Sequence, residues 1–174
     1  GLLENNQLII QAAIHPLDGC ELWVTEGIME TTTMLVDINS AGDSLPGNAL
    51  GFTSVASEQG EFIFFDADDG INGRELWVSD GTTIGTHIIQ DIFSQNSIDT
   101  NSKLVAFNQG VVFTTTSNTI HWANSTDVVE LSQIPAFDNS AQQILNSSLS
   151  MLSANTFSIL NSDAHNLWFI AKVS

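Results

Sequence analysis

The sequence predicts an all-β chain of four consecutive antiparallel units, arranged like the blades of a β-propeller. Three observations predict it. Tryptophan recurs as Trp23, Trp77, Trp122 and Trp168, at spacings of 54, 45 and 46 residues. Residues 8–38 align with 62–92 without a gap, and eleven of those 31 pairs are identical. Short runs rich in Val, Ile, Phe and Thr alternate with clusters of Gly, Asn, Asp and Ser, which is the pattern of strands and turns. A period of about 40–50 residues belongs to propeller blades rather than to helical solenoids.

Taken in order, the first unit (about residues 1–50) offers strands at Leu2–Glu4, Gln7–Gln11, Glu21–Val24 and Met34–Ile38. The second (51–101) repeats them at Phe52–Ala56, Glu61–Phe65, Glu75–Val78 and His87–Ile92. The third (102–148) has Lys103–Phe107, Val111–Thr116, Ile120–Ala123 and Val128–Leu131. The fourth (149–174) has Ser150–Leu152, Thr156–Leu160 and Asn166–Phe169, and its tail is too short for another strand. The sequence therefore reads as one domain of three full blades and an incomplete fourth. A β-sandwich explains strands at this spacing but not a Trp in every unit. Ala141–Leu152 is the single helix candidate, and its Asn and Ser content argues against it.

Composition narrows the function. Three Lys and Arg stand against 20 Asp and Glu in 174 residues, a formal net charge of −17. Nucleic-acid binding rests on cations that neutralise phosphates, and an anionic membrane surface repels such a chain. Neither nucleic acid nor direct membrane insertion is expected. No basic, apolar leader is visible at the start of the chain, so no signal peptide is expected within it. Cys20 stands alone, which excludes an internal disulfide. Few lysines, many Asn, Ser and Thr, and the negative charge fit an extracellular or cell-surface bacterial protein. The sequons at Asn124 and Asn146 read as chance in so Asn- and Ser-rich a chain.

The repeated motif is Glu21, Trp23 and Gly27 in the first unit and Glu75, Trp77, Asp80, Gly81 and Thr82 in the second. Strand alternation puts Glu75 and Trp77 on one side and Leu76 and Val78 on the other. Asp80-Gly81 signals a turn. Each Trp is expected to pack between blades with its N–H on a carboxylate or carbonyl. Glu75-Leu76-Trp77-Val78-Ser79-Asp80-Gly81-Thr82, followed by Gly85-Thr86 and Asp91-Ile92, resembles the ELWxxDGT repeat of bacterial extracellular proteins. In the first unit Glu26, Ile28 and Thr31 replace the Asp, the Thr and the second Gly of that motif. In the third and fourth only Trp122 and Trp168 remain. The resemblance implies a secreted or surface-anchored protein with β-propeller-like repeats that act as a scaffold or interaction module.

The chemical candidates are few. Asp66, Asp68, Asn72 and Glu75 surround a glycine-bearing loop, and Ca²⁺ takes six to eight oxygens from such a segment. Gly70 falls one position early for an EF-hand and the Glu is displaced, so a polar hairpin loop explains the same residues. Ca²⁺ is the one cofactor this pattern suggests. His15, His87, His121 and His165 fall at different offsets from their Trp residues, which argues against a shared metal site. No nucleophile elbow, zinc-protease motif or phosphate loop occurs, so no catalytic residue is assigned and no enzyme is expected. The reading is a non-catalytic module for protein–protein interaction or surface assembly, in which strand sharing would let copies self-associate. The alternative is a carbohydrate-binding module, Ca²⁺-dependent if the loop binds the ion.

Overall fold

The computed structural model describes residues 3, 7–12, 19–91, 103–115, 119–130, 157–162 and 167–171. The chain is all-β, and every sheet is antiparallel. The first sheet holds β1 (Leu8–Ala12), β2 (Glu21–Thr25) and β3 (Thr33–Val36). The second holds β4 (Phe52–Ser57), β5 (Gly60–Asp68), β6 (Arg74–Ser79) and β7 (His87–Ile88). The third holds β8 (Val105–Phe107), β9 (Gly110–Thr114), β10 (Ile120–Ala123) and β11 (Val128–Glu130). The fourth pairs β12 (Phe157–Ser162) with β13 (Leu167–Ala171). Each sheet is a meander in which strands pair in chain order, as short connections favour.

The second sheet is apolar on both faces, and the period of two explains how. Ile63, Phe65, Ala67 and Trp77 point one way and pack with Ile9, Leu22, Val24 and Leu35 of the first sheet. Phe64, Leu76 and Val78 point the other way and pack with Val111, Phe113 and Ala123 of the third. Cross-strand pairs respect the division, with Phe65 opposite Trp77 and Phe64 opposite Val78. Phe64, Phe65 and Ile63 are fully buried. A near-continuous apolar run such as Phe62-Ile63-Phe64-Phe65 marks a strand covered on both sides. Burying one such ring contributes on the order of 2–3 kcal/mol.

Several expected elements differ. Leu3, placed in a strand by the sequence, is not part of one and sends its N–H to the Gln7 carbonyl, 2.8 Å away. β7 stops at Ile88, four residues short of the expected end, and β8 begins at Val105. The helix candidate 141–152 lies outside the described residues, as do His15 and His165.

Candidate functional site

The motif glutamate is a buried staple. Glu21 is fully buried on β2, where its Oε2 accepts from the Ile38 N–H at 2.8 Å and the Ser44 hydroxyl at 2.6 Å. Its Oε1 accepts from the Ser44 N–H at 3.0 Å. One carboxylate thus satisfies three donors of the segment that leads from the first sheet to the second. Cys20 extends the stitch, its N–H donating to Asp43 and its carbonyl accepting from Leu45. The second-repeat counterpart, Glu75, is equally buried.

From the other side, Asp66 of β5 grips the same segment. Its carboxylate accepts from the Leu50 N–H at 2.8 Å and the Ala49 N–H at 3.1 Å, and it pairs with the Arg74 guanidinium. Arg74 also donates to the Leu45 carbonyl at 3.1 Å. Segment 37–51 is therefore pinned by an acid from each flanking sheet. Buried carboxylates need such partners, because an unpaired charge away from water is costly.

The motif turn closes in the same way in both repeats. Thr25 and Thr32 share a hydroxyl bond of 2.7 Å, and so do their counterparts Ser79 and Thr86. Thr25 accepts from the Gly27 N–H and Ser79 from the Gly81 N–H. Asp80 caps the turn by accepting from both the N–H and the hydroxyl of Thr82. Gly81 adopts a φ of +89°, and a Cβ there would meet Leu3 at 2.5 Å. Asp80, Gly81 and Thr82 stand out in the sequence as a turn. The hydroxyl pair was missed, although the gapless alignment carried its signal in the identity of Thr32 and Thr86 and the similarity of Thr25 and Ser79.

The four expected calcium ligands are not brought together. Asp66 and Asp68 share one face of β5, but Glu75 pairs with Ala67 and points to the opposite face. Asp66 is engaged as described. The Asp68 carboxylate accepts from the Gly70 N–H at 2.8 Å. The Asn72 amide donates to Asp69, an acid that the candidate set omitted. Burial pushes the Asp69 carboxyl up, but hydrogen bonds from Asn72 and Ile71 together win and hold it below the usual range. The loop is a self-capped Asx turn. Among the described residues no group of three or more His, Cys, Asp or Glu side chains converges to hold a metal.

The tryptophans are not equivalent. Trp77 pairs with Phe65, five residues beyond Gly60 at the β4–β5 turn. Trp122 pairs with Val112, only two residues beyond Gly110 at the corresponding β8–β9 turn. An offset of three residues is odd, so Trp122 lies on the opposite face and nearer the turn. The expectation of one equivalent Trp per unit is corrected here: the spacing of 45 residues was right for a repeat and misleading for the position. Trp23 matches Trp77 in its motif, and β13 carries Trp168, whose side chain lies outside the description. The expected partners for the indole N–H also fail for Trp23 and Trp77, which find none among the described residues. Trp122 does find one, donating to the Phe107 carbonyl at 2.9 Å.

This displaced Trp122 lines a cleft of about 260 Å³ between the turns of the second and third sheets. Gln59 comes from the β4–β5 turn, Gln109 from the β8–β9 turn, and Asn124 and Thr126 from the β10–β11 turn. Hydrogen bonds tie these turns together: the Glu58 N–H donates to the Gln109 side-chain Oε1, the Ser125 hydroxyl donates to the Gln59 side-chain Oε1, and the His87 ring bonds the Ser125 backbone carbonyl. Gly110 makes room for the ring, since a Cβ there would come within 2.8 Å of the Trp122 Nε1.

No protein-family model, curated protein or solved structure matches the chain.

Proposed function

We propose that this chain is a non-catalytic, β-propeller-like repeat module of the ELWxxDGT type, displayed outside a bacterial cell, that joins protein partners or copies of itself. The observation that carries the reading is the use made of the motif. Glu21, Asp66, Arg74 and Asp80 are the charged groups that chemistry would recruit, and each is engaged in backbone or ion-pair contacts that fix one sheet against the next or close a turn. A sheet covered on both faces supports the blade-like reading. The self-association form draws on the first sheet, which has three strands among the described residues where the second and third have four. Strand addition to such a sheet is a common mode of recognition.

Solution mass by size-exclusion chromatography with light scattering tests this reading. The expected result is a species larger than the 18.8 kDa chain, with the same mass in Ca²⁺ and in chelator. A monomer at every concentration would remove self-association. A Ca²⁺-dependent mass would return the Asp66–Glu75 loop to the role of an ion site. The Trp122 cleft favours a second reading, in which the module binds carbohydrate.

A further inference from the structure

We propose that the cleft beside Trp122 binds one uncharged sugar ring, such as a neutral hexose or an N-acetylhexosamine at the end of a glycan; this rests on the carbohydrate reading. Hydrogen-bond capacity points there first. Four carboxamides line the cleft, those of Gln59, Asn108, Gln109 and Asn124, and three of them use the oxygen within the protein. Gln109 accepts from the Glu58 N–H at 3.2 Å, and Gln59 accepts from the Ser125 hydroxyl at 3.4 Å. Asn124 accepts from the Thr126 and Asp127 N–H groups at 2.8 and 2.7 Å. With those three oxygens held, the NH₂ groups of Gln59, Gln109 and Asn124, two donors apiece, have no hydrogen-bond acceptor among the described residues and are available to a ligand. Glu58 adds a carboxylate acceptor on the same rim. Fixed amide donors beside one carboxylate suit the vicinal hydroxyls of a sugar, which both give and accept.

The indole completes the set. Its N–H is engaged by Phe107, so what Trp122 offers the cleft is apolar ring surface. Sugar C–H faces pack on such surface, and a cavity of about 260 Å³ is smaller than a typical drug-sized site of about 300–1,000 Å³. The size suits a single ring. Charge narrows the class: Glu58 and a net charge of −17 repel uronic, sialic and sulfated sugars. Pre-organisation comes from the inter-turn bonds, which lower the ordering cost of binding.

The test uses the whole chain with a panel of methyl glycosides of neutral hexoses, N-acetylglucosamine and glucuronic acid, read by calorimetry and tryptophan fluorescence. At least one neutral glycoside is expected to bind at millimolar concentration, with glucuronide weaker by tenfold or more. Two variants locate the site. Trp122→Phe removes the indole and is expected to weaken binding about tenfold. Gln109→Gly removes a donor, together with the Oε1 that holds the Glu58 N–H, at a φ of +63° that glycine adopts freely, so the turn keeps its backbone conformation while binding drops at least threefold. No binding by any glycoside up to tens of millimolar would overturn both the site and the carbohydrate reading. Binding that both variants leave unchanged would overturn the site alone. Equal affinity for glucuronide would overturn the uncharged-ligand assignment.

Discussion

Glu21 shows how a residue that looks chemical can be wholly structural. Its carboxylate sits in a strand, fully buried, with three donors from Ile38 and Ser44 converging on two oxygens. Removing it leaves those donors without partners in a buried place, and an unsatisfied buried group costs about 1–3 kcal/mol. Glu21→Ala is therefore expected to destabilise the chain by about 3 kcal/mol. Thermal unfolding would register this as a fall of roughly 6–12 °C, given about 2–4 °C per kcal/mol for a chain of this size. An unchanged melting temperature would mean that the staple does not hold the segment between the sheets. The sequence made Glu21 visible by repeating it as Glu75, but offered no reason for it, because the donors it satisfies lie 17 and 23 residues away. Asp66 was visible too, but as an ion ligand rather than a backbone anchor. A row of oxygens along a sequence does not reveal which face of a strand each one takes.

Among the elements, the second-repeat strands were the most legible. The runs Glu61–Phe65 and Glu75–Val78 combine β-branched and aromatic residues with flanking turn signals, and both form strands, but β5 runs on to Asp68 and so takes in Asp66 and Asp68, which the sequence places in the loop. The third sheet was harder, because the Trp that marked its repeat sits on the other face from Trp77. The Trp77-type face of that sheet, turned toward the second sheet, holds Phe113 and His121 instead, with ring centroids 5.5 Å apart. Burial holds the His121 imidazole below its ordinary value despite the opposing charge of Glu130 across the strand pair. Protonation therefore favours the unfolded chain, whose histidine titrates near 6.5. The stability this neutral ring supports is intact above that pH and is lost as pH falls below it toward the lowered folded value. Melting temperature is expected to drop between pH 7.5 and 5.5, and to drop less in His121→Gln. Parallel curves for the two proteins would show that another group sets the slope.

At the scale of the whole molecule, the all-β class and the succession of meander sheets were readable from periodicity and turn chemistry alone. What composition could not supply was the way adjoining sheets meet. That depends on the connecting segment 37–51, whose backbone is held by Glu21 on one side and by Asp66 with Arg74 on the other. The second sheet is thereby the two-faced core on which its neighbours are stacked. Amide hydrogen exchange followed by mass spectrometry tests this most directly, since protection grades with local opening free energy. Peptides covering β5 and β6 are expected to exchange last, later than those covering β1 to β3 and β8 to β11. Exchange from β5 and β6 as early as from the flanking sheets would contradict a core built on the second sheet.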